Sequence, residues 1–329
     1  MEQFEAASMI AVRFREYGPP DVLRHESVPK PAAGPGEVLV RVRAAGVNPG
    51  DWQMRSGWAA EKFGVSLPLP FTPGYDLAGV VEAAGPGVAK YRTGDRVFGM
   101  TANAGAYAAY AAVAETRLAP LPSSLDDIRA AGVPMSAFTA WTAVHMQARA
   151  EVGQTVLING ASGGVGHFAV QFAKLAGAHV IAVSSGRNLA FSRSLGADAV
   201  FDYETGDWSS LEGQAHAVID TVGGERTDAL VRCLRPGGTL VPVGWGRYSQ
   251  ELAKARGVFV QELLMAPFDA DRLARIGEQL ATGELRVVIG KALPLAEAAR
   301  AHELSESRRV RGKLVLYLED DMPSSSAVE

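Results

Sequence analysis

Residues 155–177 have the types and the spacing of a phosphate-binding turn. A β-branched run at 155–158 leads into small residues at 160–164, and from Val165 the apolar residues recur at helical spacing. A strand, a glycine turn and a helix together present backbone N–H groups and a positive helix end to a phosphate. The match to G-x-G-x-x-G falls on Ala161, Gly163 and Gly166, and glycine lets a pyrophosphate approach the backbone. The residues predicted to contact a dinucleotide are Ser162, Gly163, Gly164, Val165 and Gly166.

The end of the next strand distinguishes between two dinucleotides. About 20 residues beyond the turn, an NAD site usually places an Asp or Glu on the ribose 2′-hydroxyl. The strand at 179–183 runs instead into Ser184-Ser185-Gly186-Arg187-Asn188. Hydroxyls and a planar guanidinium suit a 2′-phosphate. Ser184 and Arg187 therefore predict NADPH, the alternative being a solvated arginine at a helix start.

Composition and charge exclude several classes of protein. With 329 residues, of which 47% are hydrophobic, the chain can bury two cores. Its net charge of −4 comes without any Lys/Arg run, which argues against nucleic acid as a partner. The apolar stretches are too short to span a membrane, and the acidic N-terminus lacks a signal-peptide pattern, so we expect a cytoplasmic enzyme. The single cysteine, Cys233, excludes an internal disulfide and is expected to be a small buried side chain.

The hydrophobic pattern changes along the chain. At 37–45, Val38, Val40 and Val42 alternate with polar residues, and short strand-like runs with many Gly and Pro follow, which indicates a small β-barrel-like domain. From about residue 128 a helical stretch leads to the glycine turn, after which strands alternate with helices. This alternation predicts a doubly wound parallel sheet. Its strands are predicted at 156–159, 180–183, 200–203, 217–220, 239–243 and 258–264.

The C-terminal part of the chain returns to a mixed pattern. We predict helices at 271–281 and from Pro294 to 304, and a closing strand at 313–318. The last residues, EDDMPSSSAVE, have no apolar pattern and are predicted to be disordered. The strand at 258–264 would be an apolar sheet edge that needs a partner.

Four runs carry a resemblance to a known family: AAGVNPGDWQMRSG at 44–57, PFTPGYDLAGVVEAAGPGV at 70–88, GDRVFG at 94–99 and INGASGGVGHFAVQFAKLAGAHVIA at 158–182. They resemble the zinc-free medium-chain dehydrogenase/reductases, in the quinone oxidoreductase (zeta-crystallin-like) branch. The resemblance implies an α/β fold in which a GroES-like β-barrel catalytic domain, 1–128 with 267–329, accompanies a Rossmann domain at 129–266. It also implies hydride transfer from NADPH, and a homodimer joined through the last Rossmann strand.

The resemblance also concerns metal ligands. Zinc members of the superfamily bind the metal through a thiolate, a histidine and a carboxylate, whereas the similar positions here hold Asn48 and Tyr75-Asp76. We therefore predict that the protein binds no metal. Without one, the suitable substrates already carry an electrophile, as quinones and α,β-unsaturated carbonyls do. The protein then has to hold the nicotinamide near the acceptor and stabilise an oxyanion.

By resemblance, Asn48 and Thr139 bind the nicotinamide part of the cofactor, and Tyr203 stacks against the adenosine 2′-phosphate. Asn48 could equally be an Asn-Pro turn residue. Gln53 and Trp58 stand where relatives have a tyrosine, which leaves proton delivery to water or to Tyr75, unless Tyr75 only lines the cleft. The remaining predicted cofactor contacts are Val222, Gly244 and Lys313.

A flat apolar substrate would be bound by aromatic faces. The residues predicted to line the substrate pocket are Trp52, Gln53, Trp58, Tyr75, Trp245, Tyr248 and Phe268.

Two other functions stay open: an enoyl-thioester or alkenal reductase of a biosynthetic pathway, and an NADPH-binding protein with little catalysis.

Overall fold

The structure is a computed structural model that describes residues 7–64, 66–224, 227–262 and 268–318. The chain divides into two compact units: unit 1 is Met1–Met135 with Phe268–Glu329, and unit 2 is Ser136–Pro267. The first boundary therefore falls later than the predicted residue 128. The tail at 319–329, for which disorder is predicted, lies outside the described residues. Within the described ranges, no helix has the length and apolar content needed to cross a membrane.

The described residues form the following strands and α-helices, numbered in chain order. The strands are β1 (Ser8–Arg13), β2 (Arg24–Pro29), β3 (Glu37–Val47), β4 (Asp76–Ala84), β5 (Arg96–Met100), β6 (Tyr110–Ala114), β7 (Leu118–Pro120), β8 (Thr155–Asn159), β9 (His179–Ser184), β10 (Ala199–Asp202), β11 (Ala215–Asp220), β12 (Leu234–Pro242), β13 (Phe259–Val260), β14 (Ile289–Pro294) and β15 (Lys313–Tyr317). The α-helices are α1 (Pro49–Arg55), α2 (Trp58–Phe63), α3 (Asp127–Ala131), α4 (Pro134–Trp141), α5 (Gly166–Leu175), α6 (Leu189–Ser194), α7 (Thr227–Cys233), α8 (Gln250–Arg256), α9 (Ala270–Ala281) and α10 (Ala298–Glu306).

Unit 1 is organised around β3, a strand of 11 residues. One edge of β3 pairs with β4, while the other pairs with β6 over 37–41 and with β15 over 44–47, all antiparallel. Val38, Val40 and Val42 are buried in the core, whereas Arg41 and Arg43 are half-exposed. This alternation is the one that the sequence predicts. Since β3 is shared by three strands, its end is a point where several chain segments meet.

Unit 2 contains a six-stranded parallel sheet with the order β10-β9-β8-β11-β12-β13. The order reverses between β8 and β11, as it does in doubly wound folds. Its core contains side chains of four strands and two helices, among them Leu157, Ile181, Val218 and Leu230. Cys233 is fully buried in this core, and burial raises the pKa of its thiol to about 12, so the side chain packs as a small apolar group.

Two predicted helices differ from the structure. The helical stretch after residue 128 is broken at Gly132 into α3 and α4, followed by a π-helix at Thr142–Gln147. Pro294 ends β14 instead of opening a helix; a short 3-10 turn, Leu295–Glu297, precedes α10.

The last strand of unit 2 is shorter than predicted. Of the described residues in this segment, only Phe259–Val260 are strand residues. The N–H of Val258 donates to Ala253 O, so Val258 belongs to the end of α8. Leu263 and Leu264 lie outside the described residues. Phe259 is 63% exposed, and the homodimer through this edge stays a prediction.

We predict that two glycines of the same turn respond differently to alanine. A Cβ on Gly166 would lie 2.1 Å from the carbonyl oxygen of Gly160, whereas a Cβ on Gly163 would meet nothing closer than that oxygen at 3.4 Å. Gly166→Ala is therefore expected to lower the free energy of unfolding by about 2 kcal/mol, and Gly163→Ala by less than about 0.5 kcal/mol. Denaturant unfolding of both variants measures the difference, and equal losses would contradict the prediction.

Candidate functional site

The glycine turn follows β8, the strand at which the sheet order reverses. The backbone N–H groups of Gly160 and Ala161 both donate to Val183 O, at 3.1 and 3.0 Å, which ties the turn to the end of β9. Gly160 has a φ of +80°, a conformation that favours glycine. Ligands of open α/β sheets bind outside the carboxyl ends of the strands at such a reversal.

The predicted phosphate-contacting residues differ in what they provide. Gly166 is buried, and its missing side chain lets the first turn of α5 pack against Gly160. Gly163 is half-exposed and uses its own N–H within the turn, donating to Gly160 O at 2.9 Å. Within the described parts of the chain, the one atom near the place where its side chain would be is that oxygen, at 3.4 Å. This open cradle fits the close approach of a pyrophosphate.

The residues predicted to read the adenosine ribose lie at one edge of the sheet. The hydroxyl of Ser184 is buried and lies 3.1 Å from that of Ser192, so it is part of the interior. Arg187 is exposed, Tyr203 is 36% exposed, and the N–H of Tyr203 donates to Ser184 O at 3.2 Å. Of these side chains, Arg187 and Tyr203 are the ones presented at the surface.

Sequence reasoning missed a carboxylate at this edge. Asp202 ends β10 and is the register partner of Ser184, so it arrives beside the loop after β9. Its Oδ2 lies 2.8 Å from where a Cβ on Gly186 would be, and its carboxylate accepts from the N–H of Glu204 and the hydroxyl of Thr205, both at 3.0 Å. The parallel pairing of β9 with β10 brings Asp202 here, and no local sequence pattern shows that pairing.

The other residues of unit 2 that are predicted to contact the cofactor lie after strand ends and on one helix. Val222 follows β11 and is 43% exposed. Gly244 follows β12, and a Cβ there would lie 2.5 Å from the carbonyl carbon of Val222, so the two loops touch through their backbones. Thr139 is buried on α4.

In unit 1 the end of β3 meets the beginnings of β4 and β15. Gly46 is the register partner of Asp76, and Val47 is that of Leu314. A Cβ on Gly46 would lie 2.3 Å from Ala131 O, so glycine is needed for α3 to pack here. The register therefore brings Asn48, Asp76 and Lys313 together, three residues from distant parts of the sequence.

The three side chains form a buried cluster, in which each is at most 3% exposed. The Lys313 ammonium donates to Asn48 Oδ1 at 2.6 Å and to Val47 O at 3.2 Å, and it lies 3.8 Å from Asp76 Oδ2. Asn48 Nδ2 donates to Asp76 Oδ2 at 3.0 Å, while Asp76 Oδ1 accepts from the N–H of Met135 at 2.9 Å. The cation and the carboxylate thus fix which way the Asn48 amide faces.

Asn48 is also the N-cap residue of α1, with Pro49 at the first helical position. Its backbone N–H donates to Asp51 Oδ2 at 2.8 Å, and the same oxygen accepts from the Tyr107 hydroxyl at 3.2 Å. Asp51 is fully buried. The Asn-Pro pair therefore begins a helix, and the Asn48 side chain serves the buried cluster. The N-x-x-D spacing was the sequence signal for Asp51.

Burial dominates the electrostatics of the cluster. It raises the pKa of Asp51 to about 7, with the Asp76 charge adding to the effect and the Asn48 N–H and Lys313 opposing it. It also raises the pKa of Asp76 and lowers that of Lys313, and the attraction between these two opposes both shifts. Among the residues that the structure describes, no three His, Cys, Asp or Glu side chains group as metal ligands.

The predicted substrate-pocket residues belong to both units. Tyr75 is half-buried, its hydroxyl donates to Met54 Sδ at 3.3 Å, and burial raises its pKa from 10.0, so it is a weak acid at neutral pH. The indole N–H of Trp52 is buried and has no hydrogen-bond partner within the described residues. In unit 1, Gln53, Trp58 and Phe268 are half-exposed; in unit 2, Trp245 is 55% exposed and Tyr248 half-buried.

We predict that Asp51 makes stability depend on pH. Its pKa rises from 3.8 to about 7 on folding, so the ionised form opposes folding increasingly from about pH 4 to about pH 7. Over that range, the free energy of unfolding of the native protein minus that of Asp51→Asn is expected to fall by about 1.4 kcal/mol per pH unit. Denaturant unfolding at several pH values measures it. A difference that is constant with pH would contradict the shift.

The chain matches known proteins over nearly its whole length. The family model described as alcohol dehydrogenase GroES-like domain matches residues 34–123, and the model described as zinc-binding dehydrogenase matches 195–316. Quinone oxidoreductase of Rattus norvegicus is 33% identical over 329 residues, covering 94% of this chain and 98% of that protein.

Comparison with solved structures leads to the same family. An NAD-dependent alcohol dehydrogenase has a TM-score of 0.88 at 33% identity, covering 94% of this chain and 100% of that one. A mycobacterial protein complexed with NADPH has a TM-score of 0.84 at 31% identity, with the same coverage. The predicted fold, a GroES-like domain with a Rossmann domain, is confirmed. The chain belongs to the medium-chain dehydrogenase/reductase superfamily, in its quinone oxidoreductase branch, a family of nicotinamide-dinucleotide-dependent oxidoreductases.

Proposed function

We propose that this protein reduces a quinone or an α,β-unsaturated carbonyl with hydride from NADPH, without a metal ion. The observation that carries the proposal is the cluster of Asn48, Asp76 and Lys313. Asn48 and Asp76 stand where, by resemblance, zinc members hold or support their metal, and here an ammonium supplies the positive charge beside the carboxylate. An amide already bound to a lysine is a poor metal ligand. The substrate must therefore carry its own electrophilic carbon.

Taken by itself, each unit has residues that fit one part of the cofactor. In unit 2, the turn at 162–166 would hold the pyrophosphate, and Arg187 with Tyr203 the 2′-phosphate. When bound, NADPH supplies the hydride. In unit 1, one N–H of the Asn48 amide is bound to Asp76, and we assign the other to the nicotinamide or its ribose. The quinone oxidoreductase relative supports a quinone as acceptor, and the NADPH complex of the mycobacterial neighbour supports NADPH as the cofactor.

The side chain predicted to deliver the proton that follows the hydride, Tyr75, is a weak acid. Burial raises the pKa of Tyr75, and its hydroxyl is directed to Met54 Sδ. We therefore assign the proton to water. A quinone or an enone accepts hydride on carbon and forms a stabilised anion, so a weak proton source is sufficient.

The test of substrate class is a comparison of quinones, enones and acyl thioesters as acceptors in NADPH oxidation. We expect turnover of a quinone or an enone that exhaustive chelation leaves unchanged. Tyr75→Phe should cost less than the 10²–10⁴-fold typical of losing a general acid, and Tyr91→Phe controls for loss of a tyrosine hydroxyl elsewhere. Preference for thioesters would favour the biosynthetic alternative, and binding without turnover would favour a binding protein.

Cofactor preference is tested with two variants of opposite charge change. A charge-assisted contact contributes about 1.5–3 kcal/mol, so Arg187→Ala is expected to weaken NADPH binding roughly ten- to a hundredfold and leave NADH binding unchanged. Asp202→Asn removes a negative charge from the same edge and should strengthen NADPH binding about two- to fivefold. Fluorescence titration measures both. Equal affinity of the native protein for the two cofactors would contradict the assignment.

A further inference from the structure

Asp220, at the end of β11, is a fully buried carboxylate that the proposed function does not use. Its Oδ1 accepts three hydrogen bonds: from Asn159 Nδ2 at 2.8 Å and from the backbone N–H groups of Val222 at 3.0 Å and Gly223 at 3.1 Å. Its Oδ2 accepts from the Tyr248 hydroxyl at 2.7 Å. The carboxylate is thus held by donors on both oxygens.

These donors come from the ends of three neighbouring strands. Asn159 ends β8 and is the register partner of Asp220, while Val222 and Gly223 belong to the loop after β11. Tyr248 belongs to the loop after β12, whose start is bound to the Asp220 backbone as well: the N–H groups at 243 and 244 both donate to Asp220 O at 2.8 Å. One residue therefore joins the end of β8 to the loops after β11 and β12, at the reversal of strand order.

The loops after β11 and β12 also touch directly. The N–H of Gly224 donates to Trp245 O at 3.1 Å, and a Cβ on Gly223 would lie 2.1 Å from that oxygen. Gly223 has a φ of +69°, so only glycine suits this approach. On the surface of the two joined loops, Val222 and Trp245 are 43% and 55% exposed. The backbone contact means that a shift of one loop displaces the other.

We infer that Asp220 and Tyr248 are positioning residues, whose hydrogen bond holds the loops that carry Val222 and Gly244 in place for the dinucleotide. The inference rests on the proposed function for the identity of the ligand. It assigns to Tyr248 a role other than the substrate contact that the sequence predicts, because its hydroxyl faces Asp220. Burial and the Asp220 carboxylate raise the pKa of Tyr248, so it stays a donor at all relevant pH values.

A buried carboxylate depends on its donors more than an exposed one does. Each hydrogen bond to a charged group contributes more than a neutral one, and a network in a low-dielectric interior responds as a whole when one donor is removed. Loss of the Tyr248 hydroxyl leaves Oδ2 of Asp220 without this donor while the other contacts persist. The expected result is a looser pair of loops in a protein that still folds.

The experiment compares Tyr248→Phe with the matched control Tyr91→Phe, which removes a buried hydroxyl bound to Leu118 O in unit 1. In the protein alone, hydrogen exchange of the amides at 222–224 and 243–248 is expected to be roughly tenfold faster in Tyr248→Phe and unchanged in the control. NADPH should bind about tenfold more weakly. The ratio of kcat/KM among a small enone, a large enone and a quinone should stay the same.

Two results would overturn the inference: unchanged exchange in both loops, or unchanged NADPH affinity together with an altered ratio among acceptors, which would make Tyr248 a substrate contact. The exchange measurement needs no ligand. If the native protein binds no NADPH, the proposed function fails, and the exchange rates alone decide whether the Tyr248–Asp220 bond joins the loops.

Discussion

A charge removed from water must be matched by donors or by an opposite charge, and this constraint organises both units of the protein. In unit 1, Asp76 is matched by the Lys313 ammonium, the Asn48 amide and a backbone N–H. In unit 2, Asp220 is matched by four neutral donors. Each carboxylate lies where strands end, so satisfying it also fixes the loops that carry the candidate functional residues.

The cluster in unit 1 links the packing of the sheet to the proposed chemistry. Lys313 is the first residue of β15 and Asp76 the first of β4, and both flank the end of β3. Removing either partner would leave the other charge buried and unmatched, which is costly. The orientation of the Asn48 amide is a consequence of this balance. A site built on a buried ammonium can position and polarise the groups bound to it. The electrophilic carbon must be supplied by the substrate.

The sequence predicted well those features that depend on local patterns. The glycine turn, the change from period two to helical spacing and the alternation at Val38, Val40 and Val42 all correspond to the structure, because each depends on neighbours in the chain. The ends of elements were predicted less accurately. Val258 was predicted as a strand residue, but its N–H completes the end of α8. A short-range hydrogen bond took precedence there over an apolar pattern.

Pairings between distant strands could not be predicted in the same way. Asp202 reaches the loop after β9 only because β10 pairs with β9, and Lys313 reaches Asn48 only because β15 pairs with β3. The substrate contact of Tyr248 stays a prediction, but no sequence pattern showed that its hydroxyl binds Asp220. For Asp202 and Lys313 the missing information was the register of a sheet, and for Tyr248 it was the path of the loop after β12; a single sequence contains neither.

In the proposed reaction, hydride passes directly from the cofactor to an electrophilic carbon in a site that needs no metal. Its most direct test uses protein freed of metals by exhaustive chelation, NADPH deuterated at C4 and an enone acceptor. We expect deuterium on the β-carbon of the product, formed at the rate of untreated protein. Deuterium recovered only in solvent, or activity that returns only when zinc is added, would contradict it.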